Sequence, residues 1–367
     1  MKNMLYRNLR ICLLPVMLSS LIVSCKKMSD VVANQSNVSD FQAGSDLKLT
    51  GFKTAVLNAN KASYGPVHID KNLHNAWGMS ASDEGEIWVS AADGGVSFVY
   101  NVVGDNLMPP VNIPSHKMSV PGNPTGNIYN ESSDFVIPGT KDPAEFLFAS
   151  EDGTISAWND ATGSSAVVVI DKHKNASYKG IATAESGGNE YLYATNFETA
   201  KIDVFDGEFN PVHMDFSDND IPDGYAPFNI REVKQMLFVT YALRTKDGEE
   251  DSTGAGLGFV DVYSPDGSLV KRFASHGTLN APWGITTARP GLLGDDAILI
   301  GNFGDGHINV FDMDGNYKGQ MMNGSEPIAI DGLWALDNNF QHTSARQLYF
   351  TAGPNDEEDG LFGFVFR

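Results

Sequence analysis

The chain has 367 residues, of which 46 are acidic and 25 basic, so its formal net charge is −21. A surface this acidic repels nucleic acid and anionic lipid headgroups, which excludes both as partners recognised by charge. The two cysteines are Cys12 and Cys25, and the long remainder of the chain therefore contains no thiol or disulfide.

The N-terminus has the pattern of an export signal. Basic residues precede an apolar stretch over residues 11–23, which is short for a membrane span, and Ile22-Val-Ser-Cys25 resembles a bacterial lipobox. We expect a signal peptide over residues 1–24, lipidation of Cys25 and a flexible tether over 25–51. The protein would then sit in the cell envelope, held at the outer membrane only by its lipid. The membrane face stays open, and the alternative is an ordinary signal peptide with a chance cysteine.

A strand-like phrase with an aromatic end recurs six times at intervals of 47–58 residues. Its copies end at Tyr100, Trp158, Phe205, Tyr263, Phe311 and Phe366. A repeat of about this length with strand patterning is the signature of a β-propeller. The phrase would be the third strand, C, of each blade.

Each repeat also has an apolar run that ends in a small residue, typical of a buried second strand, B. These runs cover residues 87–90, 146–150, 191–195, 237–240, 298–301 and 348–351. The innermost strand, A, is predicted at residues 75–79, 134–137, 178–181, 225–229, 280–285 and 331–336. Three Asp-Gly turns after strand C, at 206–207, 266–267 and 314–315, predict hairpins into an outer strand, D.

The chain ends directly after the sixth strand C, so the sixth blade lacks a strand D. Residues 52–57 have strand character and precede the first blade, and we expect them to supply that missing edge. The sequence therefore predicts an all-β fold, a six-bladed β-propeller of four-stranded blades over residues 52–367, closed by an N-terminal outer strand. We expect a monomer.

Whole phrases of the chain, at residues 256–263, 280–285, 301–311 and 331–336, resemble an uncharacterised family of secreted bacterial β-propellers. Some members of that family carry a PEP-CTERM sorting tail, which this chain lacks. More distantly, the repeats are similar to six-bladed propellers of the NHL and gluconolactonase types. The first resemblance implies the fold but no activity.

Carboxylates recur in the predicted B–C hairpins, which should meet around one mouth of the central channel. This predicts a ligand face made of Asp93, Asp152, Glu198, Asn229, Asp305 and Asp356. An acidic mouth would concentrate cations or a basic ligand. The alternative is that these are solvated loop tips of an acidic protein.

Four strand-end residues offer oxygen ligands of mixed charge, which suit Ca²⁺. They are Glu151, Asn196, Asn302 and Asp331. Similarity to gluconolactonase-type propellers, whose Asp-Gly-Leu phrase resembles the one beginning at Asp331, implies a divalent ion at the channel. The alternative is that these side chains cap loops.

The sequence leads to two functional hypotheses. The first is a non-catalytic binding module that presents an acidic face to a small ligand, a cation or an envelope protein. The second is a Ca²⁺-dependent hydrolase of lactonase type with its site in the channel. No Gly-x-Ser-x-Gly elbow or close histidine pair indicates another chemistry. The strand-A tryptophans Trp77, Trp283 and Trp334 are predicted to pack between blades.

Overall fold

A computed structural model of the chain describes residues 47–246, 248 and 250–367. The predicted signal peptide, the lipidation site Cys25 and all but the last residues of the predicted tether lie outside the described residues. Those three expectations remain predictions.

The first half of the described chain contains three blades. After β1 (Lys53–Ala59) and β2 (His68–Ile69), blade I is built from β3 (Ala76–Ala81), β4 (Ile87–Ala91), β5 (Val96–Tyr100) and β6 (Asn106–Asn112). Blade II contains β7 (Pro124–Tyr129), β8 (Phe146–Ser150), β9 (Thr154–Trp158) and β10 (Val167–Asp171). Blade III contains β11 (Tyr178–Ser186), β12 (Asn189–Asn196), β13 (Lys201–Asp206) and β14 (Pro211–Val212).

The second half completes the ring. Blade IV contains β15 (Tyr225–Val233), β16 (Met236–Arg244), a short β17 (Asp251–Ser252), β18 (Phe259–Tyr263) and β19 (Leu269–Ser275). Blade V contains β20 (Pro282–Ala288), β21 (Ala297–Asn302), β22 (Ile308–Phe311) and β23 (Tyr317–Gln320), followed by the small hairpin β24 (Met322–Asn323) and β25 (Glu326–Pro327). Blade VI takes β26 (Leu333–Asp337), β27 (Gln347–Ala352) and β28 (Leu361–Phe366) from the C-terminus.

Helices are few and short in the described residues. They are the 3-10 turns Ala62–Tyr64 and Asp160–Thr162 and the single-turn α1 (Pro290–Leu293). None of the helices in this described part has the length and apolar character needed to cross a membrane.

The N-terminal strand closes the ring as predicted. β1 pairs antiparallel with β28, from Lys53 opposite Phe366 to Ala59 opposite Leu361. The last sheet therefore runs β2-β1-β28-β27-β26, and β1 takes the position of strand D. Phe52, just before β1, is fully buried. The six-bladed propeller of four-stranded blades is confirmed, and so is its closure.

Every inner strand has a bulge at the same position, where its register with strand B shifts. In three blades a hydroxyl of strand B fills this gap by accepting a hydrogen bond from the bulged backbone. Thr195 Oγ1 accepts from the Gly180 amide at 2.7 Å, and Thr240 Oγ1 accepts from the Asn229 amide at 3.0 Å. This hydrogen bond explains why the apolar run of strand B ends in Thr in these three blades, whereas the run of blade V ends in Gly301.

The same bulges bring neighbouring blades into backbone contact at the axis. A Cβ added to Gly180 would lie 2.7 Å from the Cα of Asn229 in the next blade, so only glycine fits there. Side chains also donate across the junctions: Thr125 Oγ1 to the Tyr178 carbonyl at 2.8 Å, and Asn229 Nδ2 to the Trp283 carbonyl at 2.7 Å. The inner ring is consequently a rigid hydrogen-bonded frame.

One strand prediction was wrong. The inner strand of blade II is Pro124–Tyr129, not residues 134–137. Residues 134–137 lie in the A–B connection, where the buried Phe135 adopts a left-handed φ of 61° and its amide donates to the Gly207 carbonyl of blade III. This segment is apolar because it packs between the connections of two blades. In the sequence, such a short apolar run cannot be distinguished from a strand.

Candidate functional site

The strand order gives the channel two different mouths. B–C hairpins and the connections into strand A surround one of them, called here the B–C mouth. A–B and C–D turns surround the other, called the A–B mouth. Five of the six predicted ligand-face residues, Asp93, Asp152, Glu198, Asp305 and Asp356, lie on B–C hairpins as expected.

Two of those hairpin carboxylates are engaged locally. Asp152 accepts hydrogen bonds from the hydroxyl of Thr154 at 2.7 Å and from the amide of His116 at 3.3 Å. Asp305 accepts from the side chains of Asn302 and Asn280 at 3.0 and 3.2 Å. These two carboxylates are therefore held by hydrogen bonds to their own and neighbouring loops, which neither the ligand-face prediction nor its alternative of solvated loop tips anticipated.

The four predicted calcium ligands occupy separate local networks. Glu151 forms an ion pair with Lys179. Asn196 donates to the Asn175 carbonyl at 3.1 Å, and Asp331 accepts from the amide of Asn355 at 3.1 Å. Asn302 donates to a loop carbonyl, but its side-chain oxygen is buried without a partner. Within the described residues, no three His, Cys, Asp or Glu side chains are arranged to hold a metal ion. The calcium site remains a prediction.

A buried lysine organises the B–C mouth. The side chain of Lys179, at the start of the inner strand of blade III, is 1% exposed, and its ammonium pairs with Glu151 of blade II. The ammonium also lies over the rings of Trp77 and Phe197, 5.1 and 5.6 Å from their centroids. The sequence analysis did not identify this residue, because a lysine at the second position of an apolar strand is typical of a strand end that is exposed to solvent.

Two further carboxylates share this electrostatic environment. The pKa of Glu357 is raised from 4.5 to about 7: burial and the charges of Glu151 and Asp251 raise it, whereas the hydrogen bond from Asn75 and the charge of Lys179 lower it. Burial likewise raises the pKa of Asp251 to about 6, and its Oδ2 is buried without a hydrogen-bond partner. We call Glu151, Lys179, Asp251 and Glu357 the lysine cluster. It joins the loops of blades II, III, IV and VI.

Aromatic rings close the channel beneath the lysine cluster. Trp77 and Trp334 stack with centroids 3.7 Å apart, and Phe303 stacks on the other side of Trp334 at 4.1 Å. The indole nitrogen of Trp334 donates to Asn75, which in turn donates to Glu357 at 2.6 Å. Trp77, Trp283 and Trp334 are all less than 5% exposed, so their predicted packing role is confirmed.

The opposite side of this aromatic layer is open. A cavity of about 590 Å³ opens at the A–B mouth and is lined by the carboxyl-terminal halves of inner strands from all six blades. We call it the cup. Its apolar lining includes Met79, Ile181, Ile230, Trp283 and Ile285, each at most 5% exposed.

Charged groups in the cup are mostly acidic. The lining contains five carboxylates and one guanidinium, and the guanidinium, Arg231, is tied to Asp337 by an ion pair. The other four are Asp83, Glu131, Glu190 and Glu232. None of those four has an ion-pair partner within the part of the chain that the structure describes. Burial raises the pKa of Glu190, and the negative charges of Asp134, Glu185 and Glu232 raise it as well.

One residue predicted for the ligand face at the B–C mouth lies instead at the opposite mouth, because the inner strand of blade IV already includes it. Asn229, predicted for the ligand face, lines the cup from the inner strand of blade IV. The cup carboxylates were missed because the ligand face was expected at the hairpins after strand B. A usable signal was present: Asp83, Glu131 and Glu232 each lie at or just after the end of an inner strand.

Comparison with known proteins yields relatives of unknown activity. No known family profile matches the chain. It is 30% identical to the uncharacterized protein R648 of Acanthamoeba polyphaga mimivirus over 338 residues, which cover 87% of this chain and 81% of the relative. It is 32% identical to the uncharacterized protein L690 of the same virus over 318 residues, 82% of each chain.

Solved structures give the fold. Virginiamycin B lyase from Staphylococcus aureus superposes with a TM-score of 0.50 at 11% identity, covering 86% of this chain and all of the lyase. A gluconolactonase from Xanthomonas campestris gives 0.46 at 12% identity, over 80% of this chain and 88% of the other. The superposition on the lyase supports the propeller fold, whereas membership of a secreted bacterial family stays a prediction. On the sequence identity over most of both chains, the protein belongs to the family of these mimivirus proteins.

Proposed function

We propose that the protein is a small-ligand-binding propeller whose binding site is the cup at the A–B mouth. The observation that carries this proposal is the cup itself, about 590 Å³ and lined from all six blades. Ligand pockets of proteins typically have volumes of roughly 300–1,000 Å³, a range that includes the volume of the cup.

Hydrogen bonds between the blades hold the walls of the cup in place, so the site is formed before a ligand binds. Thr125 and Asn229 hydrogen-bond across blade junctions at 2.8 and 2.7 Å, directly beside residues of the cup. A preformed site loses little conformational freedom when a ligand enters, which preserves affinity. A rigid, one-ended pocket is therefore well suited to retaining a small molecule.

The test is a thermal-shift screen of a small-molecule library balanced in charge, on the full-length protein. Thr183→Trp places an indole in the cup wall, and Thr199→Trp on an exposed B–C hairpin is the matched control. Compounds that bind in the cup should stabilise the wild type and Thr199→Trp, but not Thr183→Trp. Hits that stabilise Thr183→Trp equally, or the absence of hits from every charge class, would contradict the proposal.

A calcium-dependent hydrolase of lactonase type is the second candidate. The observation that favours it is Glu357, whose pKa of about 7 suits a general acid or base at neutral pH. Ca²⁺ should then raise the melting temperature, and Asp331→Ala should abolish both that shift and the turnover of small lactones. A melting temperature unchanged between Ca²⁺ and chelator would remove this candidate.

We further propose export and lipid anchoring through Cys25, which the lipobox-like phrase at residues 22–25 supports. An anchored propeller would hold its cup at the envelope, where small ligands or an envelope protein could reach it. The predicted ligand face on the B–C hairpins also stays a proposal, separate from the cup.

A further inference from the structure

The charges of the cup indicate which class of small molecule it binds, an inference that rests on the cup being the ligand site. Asp83, Glu131, Glu190 and Glu232 line the cavity without an ion-pair partner among the described residues. Arg231, the cation of the lining, is already held by Asp337 and by the Leu336 carbonyl at 3.4 Å. The cup therefore carries a net negative charge that no ion pair of the described residues compensates.

The pKa values of two residues in the cup are raised in part by these negative charges. The pKa of Glu190 is raised first by its burial and then by Asp134, Glu185 and Glu232. On the neighbouring blade II, the pKa of Tyr129 is raised by burial and then by several carboxylates, the first being Asp83 and Glu131. Glu190 is partly buried, so the lower local dielectric strengthens its attraction to a bound cation, whereas Asp83, Glu131 and Glu232 are exposed and attract a cation more weakly.

The cup also contains polar atoms that lack partners. Asn127 is 6% exposed, and its side-chain oxygen is buried without a hydrogen bond. Its side-chain nitrogen, in contrast, donates to Ser90 Oγ at 2.9 Å. Ser80 Oγ is buried and unpaired as well. Both residues belong to the cup lining. The Asn127 oxygen can only accept, so a ligand that donates hydrogen bonds, as ammonium and guanidinium groups do, would satisfy it, whereas the Ser80 hydroxyl can accept or donate.

The shape of the cup distinguishes an organic cation from a bare ion. No three acidic or imidazole side chains of the described residues converge as a metal shell requires. Beneath the acidic wall lies an apolar surface from Ile181, Ile230 and Ile285, with the indole of Trp283 beside them. A molecule that combines a cationic group with an apolar body would pair with the wall and bury its body on this surface.

We propose that the cup binds a small organic cation, an amine or guanidinium compound with an apolar body, and that Glu190 and Glu232 hold its charged group. Glu190 stands at the start of β12 and Glu232 near the end of β15, on adjacent blades of the ring. The apolar body would lie across the inner strands towards Trp283.

The test uses three probes with one ring and different charges: benzylammonium, benzyl alcohol and benzoate. Equilibrium titration of the full-length protein at pH 7.5 should give benzylammonium an affinity at least about tenfold above that of benzyl alcohol, and no binding of benzoate. The double variant Glu190→Gln/Glu232→Gln should lower benzylammonium affinity about tenfold and leave benzyl alcohol unchanged. Glu326→Gln, on the exposed β24–β25 hairpin and outside the cup, should change neither.

The outcomes separate this inference from the proposed function. If benzylammonium binds no more tightly than benzyl alcohol, while Thr183→Trp abolishes the binding of both, the cation assignment is wrong and the cup remains the site. The cation assignment is equally wrong if library compounds bind in the cup and benzylammonium does not. If Thr183→Trp leaves benzylammonium binding unchanged, the location is wrong and both conclusions fall.

Discussion

Replacing Glu357 with glutamine should make the stability of the propeller less sensitive to pH. Burial raises the pKa of the Glu357 carboxyl from 4.5 to about 7, so the unfolded chain releases this proton before the folded chain does. Between those two pH values the folded state binds more protons, and its stability falls as pH rises. Above about pH 7, the buried ionised carboxyl lowers the free energy of unfolding by about 3 kcal/mol, a value that follows from the size of the pKa difference.

Glutamine stays neutral at every pH, and its side-chain oxygen can still accept the hydrogen bond from Asn75. Glu357→Gln should therefore match the wild type near pH 4.5 and exceed it by up to about 3 kcal/mol at pH 8. For a domain of this size that corresponds to a melting temperature about 4 °C higher.

The assay is urea unfolding of both proteins at pH 4.5, 6, 7 and 8, with Glu358→Gln as the matched control. Glu358 is the neighbour of Glu357 in the chain, and its substitution should give no pH-dependent difference. A difference between Glu357→Gln and the wild type that is the same at pH 4.5 and pH 8 would refute the reasoning about this buried carboxyl.

Three other predictions concern closure, the lysine cluster and anchoring. Deleting residues 52–58 removes the closing strand with buried apolar side chains and should cost roughly 5 kcal/mol or more in unfolding experiments, whereas Lys53→Ala on its exposed edge should be nearly neutral. Lys179→Met should cost about 3–5 kcal/mol because it leaves Glu151 and its neighbours without their cation, and adding Glu151→Gln should recover part of that loss. Cys25→Ser should move the protein from the membrane fraction to the soluble fraction; equal membrane association of both would contradict lipidation.

The fold could be predicted because its determinants are local and repeated. Each strand C ends in an aromatic residue that packs between blades, as Trp158 does against Trp88 at 4.6 Å. Such a pattern survives in the sequence even where the loops differ. The inner strand of blade II was misplaced because Phe135 is apolar for packing between connections, and no period distinguishes that role from a strand.

The candidate site could be predicted only in part, because it depends on contacts between blades. The pairing of Glu151 with Lys179 joins residues 28 positions apart, and nothing in either segment indicates the other. The cup depends on which ends of six inner strands remain open after the aromatic rings of Trp77, Trp334 and Phe303 fill the other side. Local patterns in the sequence predict the strands. Which mouth of the channel is open depends on the volumes of the side chains that pack around the axis.

The most direct test of the cup as the ligand site is a crystal structure of the protein with the compound that stabilises it most in the library screen. We predict that the compound lies in the cup at the A–B mouth, with its charged group bonded to Glu190 or Glu232 and its apolar body near Trp283. A compound bound instead among the B–C hairpins would contradict this placement of the site.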